Sequence, residues 1–248
     1  MKLTNDLNGK TVVITGAIGQ VGYATALRLA EAGAKVIGIV HRRISKANDL
    51  FAELPNQELG HFVVEASIID SESLRAAITQ IDRCDILVNA AGTLDPIPPS
   101  NLNGLTDEIF DEIVTVNLRG VYSTIREFVP LLKSSGDGLI INISSQSGQR
   151  ASNSCVAYAA SKAGLDLMTR TLGLSLAPDI RVIGIAPGYL ETATSKVTRL
   201  QTNDVLANSS PLKRIGTGDD VAAAILAYAT MIKYATGVTI LLDGGRLL

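Results

Sequence analysis

Short apolar runs alternate along the whole chain with longer stretches of helical period. The runs cover residues 11–15, 35–40, 61–65, 85–89, 139–143, 181–186 and 238–242. Most are near-continuous rather than alternating, the pattern of strands covered by helices on both faces of a parallel sheet. Between them the spacing predicts helices over 21–32, 71–81, 106–132, 158–176 and 219–231. Gly33 supplies a C-terminal stop for the first, and Asp70 and Ser71 offer N-caps to the second. This alternation predicts a doubly wound α/β Rossmann fold. Its sheet has seven mainly parallel strands with helices on both faces, in one domain over residues 1–248. Residues 92–105 read as a loop. Residues 191–210 are polar and lack a clear period. They interrupt the rhythm at the C-terminal edge of the sheet, where open α/β sheets bind ligands, and are the expected substrate loop.

Composition narrows the function classes. With 46% hydrophobic and 19% charged residues the chain folds rather than staying disordered. A net charge of −2 provides no basic field for nucleic acid or an anionic membrane. No apolar run approaches the ~20 residues that span a bilayer. Residues 1–10 are polar and lack the apolar core of a secretory signal, so a cytoplasmic location is expected. Cys84 and Cys155 are far apart, read as reduced thiols, and show no metal-ligand spacing; no metal site is expected.

The first strand runs into Gly16-Ala17-Ile18-Gly19-Gln20-Val21-Gly22 and then a helix. Glycines permit a tight turn and close approach of backbone amides to a pyrophosphate, and the helix N-terminus adds partial positive charge. Taken alone this is also a plain turn, but its place between the first strand and first helix points to a nucleotide. An acidic residue ending the second strand would bond the ribose 2′-hydroxyl of NAD(H). Here that position is Val40, followed by His41-Arg42-Arg43, and an arginine fork suits a phosphate. NADP(H) is therefore favoured over NAD(H).

Further along, Tyr158 and Lys162 stand four residues apart in a predicted helix and so share one face. A free tyrosine has a pKa of about 10. An ammonium and the positive charge of oxidised nicotinamide would both favour phenolate, bringing the phenol toward working pH as an acid/base. Ser145 precedes Tyr158 by 13 positions at the end of the fifth strand, and Asn117 lies on the long helix before that strand. Pro187-Gly188-Tyr189-Leu190-Glu191-Thr192 follows the sixth strand, and Thr236-Gly237 and Asp243-Gly244-Gly245 lie near the end.

In order and spacing these motifs resemble the short-chain dehydrogenase/reductase family from about Gly9 to Gly245. Two departures stand out. Compact members read Thr-Gly-x-x-x-Gly-x-Gly, whereas Thr15–Gly22 follows the Thr-Gly-x-x-Gly-x-x-Gly of larger, sugar-nucleotide-modifying members. The family's adenine-contacting aspartate corresponds to Ser67. The resemblance implies an oxidoreductase that moves a hydride between nicotinamide and a carbonyl or alcohol. It implies that Tyr158 exchanges the proton, that Ser145 bonds the same oxygen (Ser144 being its rival), that Lys162 lowers the Tyr158 pKa and bonds the nicotinamide ribose, and that Asn117 interrupts its helix and holds a water linking Lys162 to solvent. Cofactor contacts are implied at Gly16, Gly19, Gln20, Val21 and Gly22, at His41 and Arg42, at Ser67 and Ile68, at Asn89, Ala91 and Gly92, at Tyr158 and Lys162, and at Pro187, Gly188, Leu190 and Thr192. The expected substrate pocket is lined by Leu94, Gln146, Gln149, Val156, Tyr189 and residues 195–206.

These residues leave the substrate open among acyl thioesters, sugars, steroids and small ketones. A 3-oxoacyl thioester reductase is one reading. A sugar-nucleotide reductase or epimerase is suggested by the glycine spacing, although such enzymes append a substrate region beyond the point where this chain stops. A non-enzymatic NADP(H) sensor is a third, although sensors tend to lose the tyrosine or lysine. The helices over 106–132 and 158–176 carry more apolar residues than one sheet-facing stripe needs. These are Ile109, Phe110, Ile113, Val116, Val121, Ile125, Phe128 and Val129 on the first, and Leu165, Leu167, Met168, Leu172, Leu174 and Leu176 on the second. Relatives pack these helices against symmetry mates, so a homotetramer or homodimer is expected.

Overall fold

The computed structural model describes residues 6–151, 154–191 and 203–248. Seven strands form one sheet: β1 (Thr11–Thr15), β2 (Lys35–Val40), β3 (Phe62–Glu65), β4 (Ile86–Asn89), β5 (Gly138–Ile143), β6 (Ile180–Pro187) and β7 (Val238–Leu242). Their order is β3-β2-β1-β4-β5-β6-β7. All six pairings are parallel, so the antiparallel share left open by the expectation of a mainly parallel sheet is absent.

Alternation along each strand explains the continuous apolar runs. Val12 and Ile14 of β1 and Ile86 and Val88 of β4 enter the core on one face, with α1 (Gln20–Glu31), α2 (Ile44–Ala52) and α8 (Gly218–Thr230). Val13 and Leu87 enter the core on the other, with α3 (Ser71–Ile78), α5 (Val121–Ser134) and α6 (Val156–Ser175). Both faces being covered, every residue of β1 and β4 is buried.

Three differences from the sequence pattern have local causes. Helix α2 is not among the predicted elements. Only Ala47 and Phe51 of its residues are buried, and it starts from Arg43 in the left-handed region with no side-chain cap. It is held by packing: Phe51 lies over Gly38 of β2, where an added Cβ would come within 2.6 Å of the Phe51 ring. The helix expected over 106–132 is divided into α4 (Asp107–Val114), a π-helical segment (Thr115–Gly120) and α5. A short helix α7 (Asn203–Asn208) lies within the expected substrate loop, of which residues 192–202, including Thr192, are outside the described residues.

The strand order reverses direction between β1 and β4, which opens a crevice beyond their C-terminal ends. The opposite edge is closed by Asp85, 1% exposed, which accepts from the Lys10 ammonium, the Thr11 N–H and the Arg83 guanidinium. Burial alone would raise this carboxyl, but Arg83, the Thr11 amide and Lys10 together hold it below the usual range.

Candidate active site

Beyond β1 the chain turns at Gly16, whose φ of +65° is in the left-handed region. An added Cβ there would lie 2.8 Å from the Ala91 backbone, and one at Gly22 would lie 2.2 Å from the Gly16 carbonyl oxygen. These two glycines therefore let the loop pack between β4 and the first turn of α1. Gly19 is the N-cap of α1 and gives no side-chain bond to the helix amides, and no acid stands in the first turn. By contrast Asp70, Thr106 and Thr217 cap α3, α4 and α8. The N-terminus of α1 thus keeps unsatisfied N–H groups at the crevice, and the loop fits a phosphate-bearing nucleotide.

On one side of this turn a recess is lined by Gly16, Ile39, His41, Ala66, Ser67, Ile68, Ile69, Ala91, Gly92 and Val116. Arg42 is exposed and does not line it. The Ser67 N–H donates to the Ser73 hydroxyl at 3.0 Å, fixing the turn after β3. The Gln20 amide donates to the Glu191 carbonyl, which joins α1 to the segment after β6. Asn89 points into the sheet, where its amide donates to Asn142 Oδ1 at 2.9 Å, and Asn142 in turn donates to Thr169 on α6 at 3.0 Å.

The second recess shares Gly92 with the first. It is lined by Val21, Ala90, Gly92, Thr93, Leu94, Ile143, Ser144, Ser145, Tyr158, Lys162, Pro187, Gly188 and Leu190. Strand β5 leads into Ser145 and helix α6 carries Tyr158 and Lys162, and all three side chains line this recess. Ser145 Oγ also accepts from the Ser147 N–H at 3.1 Å. Ser144 is engaged elsewhere: its N–H donates to Ile185 O at 2.7 Å and its hydroxyl to Lys162 O at 3.4 Å.

Lys162 Nζ donates to Ile143 O at 2.8 Å and sits 5.7 Å from the centre of the Tyr158 ring. Burial lowers its ammonium to about 8, opposed by the Asp166 carboxylate. Burial raises the Tyr158 phenol above its ordinary range, opposed by the bond with Ser145. The depression of that phenol expected from Lys162 is thus not provided by the chain's own groups. The Lys162 ammonium is aimed at a carbonyl.

Asn117 lies in the π segment and is fully buried. Its Oδ1 accepts from the Thr93 N–H at 2.8 Å, and its Nδ2 donates to Thr93 O at 2.9 Å and Ser161 Oγ at 3.2 Å. Both amide protons are used, so this side chain braces the loop after β4 against α6.

Of the expected pocket residues, Leu94 lines the second recess. Gln146 is buried, while Gln149 reaches away to Asp166 Oδ2 at 2.6 Å. Val156 is exposed, and Tyr189 lies under the Arg246 guanidinium at 4.3 Å. Thr93, Ser161 and the Ile143 carbonyl carry no signal in the sequence that marks them for the site. They act through backbone atoms or short side chains whose partners are remote along the chain, and no local pattern shows such contacts.

A family model for the short chain dehydrogenases matches residues 10–203. The chain belongs to the short-chain dehydrogenase/reductase family. This family member is 35% identical over 249 residues to a 3-oxoacyl-[acyl-carrier-protein] reductase of Thermotoga maritima, covering 96% of this chain and 98% of the relative. It is 32% identical over 244 residues to a putative ketoacyl reductase of the granaticin polyketide synthase of Streptomyces violaceoruber, covering 94% of each. Its structure superposes with a TM-score of 0.90 on a gluconate 5-dehydrogenase from Burkholderia cenocepacia in complex with NADP and tartrate, at 27% identity over 99% of this chain and 98% of that one. The protein is a short-chain dehydrogenase/reductase oxidoreductase acting on CH–OH or carbonyl groups. Among the described residues no helix is long and apolar enough to cross a membrane, and no cluster of metal-ligating side chains occurs.

Proposed function

We propose that this short-chain dehydrogenase/reductase is an NADP(H)-dependent reductase of 3-oxoacyl thioesters or closely similar ketones, with Tyr158 as its acid/base. The observation that carries the reading is that Ser145, Tyr158 and Lys162 line one recess next to the glycine turn. Bound NADPH would supply the hydride. The phenol, raised by burial, holds its proton through the neutral range and can give it to a carbonyl oxygen. Ser145 Oγ, held by the Ser147 amide, would bond that same oxygen as charge develops. Lys162 would bond the nicotinamide ribose, and Asn117 keeps the loop after β4 seated against α6. Gly16, Gly19 and Gly22 would pass the pyrophosphate, and Ser67 and Ile68 the adenine. Pro187, Gly188 and Leu190 would line the nicotinamide end. The acyl reading is supported by the two ketoacyl reductases among the relatives and by an apolar cluster of Leu94, Ile97, Leu105, Ile109, Ile113 and Cys155 beside Tyr158. A cytoplasmic location belongs to the same reading.

The preference for NADP(H) rests on Val40 in place of a carboxylate and on His41 and Arg42 beyond it, and the gluconate 5-dehydrogenase of similar fold is in complex with NADP. NADPH is expected to bind more tightly than NADH, and Arg42→Asp to reverse the order. Dissociation constants for both nucleotides, followed by NADPH consumption with 3-oxoacyl thioesters, small ketones and keto-sugar acids, check both parts. Equal or NADH-favouring affinities in the wild type sink the cofactor reading. Turnover confined to sugar acids sinks the acyl one.

The oligomer expectation rests on fewer residues than the sequence suggested. Val121, Ile125, Phe128 and Leu165 are buried within the chain because α5 and α6 lie on the sheet with a broad face, and Ile113 of α4 is buried in the apolar cluster beside Tyr158. Phe110, Tyr122, Leu167 (61% exposed) and Leu174 (83% exposed) remain on the outer surface of α4, α5 and α6. They support a homodimer or homotetramer through these helices. Light scattering at micromolar concentration is expected to give a multiple of the 26.1 kDa chain mass, and a monomer refutes it.

A further inference from the structure

We propose that Asp166 is a positioning residue for the active site: its buried carboxylate, one helical turn beyond Lys162, keeps that lysine an ammonium. The inference rests on the reading of Tyr158 and Lys162 given above.

Tyr158, Lys162 and Asp166 follow one another at four-residue intervals on α6, so a phenol, an ammonium and a carboxylate share one face of the helix. Lys162 is 5% exposed and Asp166 4%. Asp166 Oδ2 accepts from the Gln149 amide at 2.6 Å, while Oδ1 is buried with no hydrogen-bond partner. An isolated buried carboxylate is costly unless an opposite charge compensates it. As a partner for Gln149 alone, asparagine would serve without that cost. What aspartate adds is charge, and the cation next to it on this buried face is Lys162.

The surroundings leave that role to Asp166. The end of β5 presents to Lys162 the Ile143 carbonyl and Ser144. The π segment and the loop after β4 present Asn117 and Gly92. The turn Gln146–Gly148 packs its Gly148 against the Lys162 backbone, where an added Cβ would lie 2.7 Å away. Helix α4 contributes apolar Ile109 and Ile113 near Ala157 and Tyr158. Among the described residues, Asp166 is the charged group that opposes the loss of the lysine proton that burial favours. Arg170, one turn beyond Asp166, is exposed to solvent. The bond from Gln149 also ties the segment after Ser145 to α6, which holds the carboxylate in place.

The test replaces the charge and keeps the shape. In Asp166→Asn, NMR of lysine-labelled full-length protein, with the Lys162 signal assigned by its loss in Lys162→Met, is expected to show Lys162 losing its proton about one pH unit lower or more. The alkaline limb of the NADPH-dependent reduction should move down by the same amount. Asp166→Glu should return both toward the wild-type values, which a merely structural role would not do. Asp166→Ser serves as a second neutral variant if the asparagine form does not fold. A Lys162 titration that stays in place in the neutral variants overturns the proposal whether or not the enzyme turns over. A titration that moves while the alkaline limb of an active enzyme does not also overturns it, because the charge would then not serve the reaction. A moved titration in a protein that reduces no carbonyl supports the coupling between the two residues and instead removes the functional reading on which its use depends.

Discussion

Tyr158→Phe is expected to cut carbonyl reduction by about 10²–10⁴-fold, the usual worth of a positioned proton donor, with NADPH binding nearly unchanged. The substitution removes one hydroxyl and keeps the ring. Ser145 still accepts from the Ser147 amide, so the turn after β5 keeps its shape. The packing of Tyr158 against the apolar cluster of Ile113, Cys155 and Ala157 is likewise retained. What goes is the proton. In the wild type burial holds that proton on the phenol through neutral pH, so reduction should run well there and decline as pH rises through the phenol's raised value. Steady-state rates with a reactive 3-oxoacyl thioester are the measurement. A variant keeping more than about a tenth of the wild-type rate, a barrier change under roughly 1.4 kcal/mol, would mean that another group carries the proton.

Gly22→Ala is the second large effect. The new methyl would lie 2.2 Å from the Gly16 carbonyl oxygen, 2.9 Å from its carbon and 3.0 Å from Ala17 Cα. All three are backbone atoms, so no rotamer change relieves the contact. Either the loop or the first turn of α1 must move, and the glycine turn is what brings the helix N-terminus to the crevice. NADPH affinity is expected to fall more than tenfold, about 1.4 kcal/mol, and overpacking of this kind costs about 1–3 kcal/mol of stability. Gly19→Ala, whose Cβ would meet only the Gly16 oxygen at 3.2 Å, should be milder. Fluorescence titration of NADPH compares the two, and wild-type affinity in Gly22→Ala would show that the loop yields freely.

The shifted glycine spacing shows what a motif conveys. Gly16 and Gly22 are needed where two backbones meet, while Gly19 caps α1 without a side-chain bond. The unusual position of the middle glycine therefore leaves the close packing of loop and helix intact. Departure from a family pattern at Gln20 has a visible consequence of its own, since that amide reaches the Glu191 carbonyl on the far side of the crevice.

By itself, the amino-acid order determined the seven strands, the two-sided burial of the sheet and the places where each functional motif stands. Those properties follow from the two-residue period of strands and the 3.6-residue period of helices, which are local and survive without any knowledge of neighbours. The tertiary structure alone decided which long-range partners those motifs take. Helix α2 exists because Phe51 finds Gly38 on a neighbouring strand. The Asn117 side chain is taken up by Thr93 and Ser161, 24 and 44 residues away. Ser144 is spent on Ile185 and Lys162, while the neighbouring Ser145 is the serine that bears on the Tyr158 phenol. Lys162 turns to the Ile143 carbonyl, and burial is the largest influence on the proton affinities of both Tyr158 and Lys162, opposed at Lys162 by Asp166. Hydrogen bonds and desolvation depend on which distant segments are packed together, and periodicity along one segment carries no record of that.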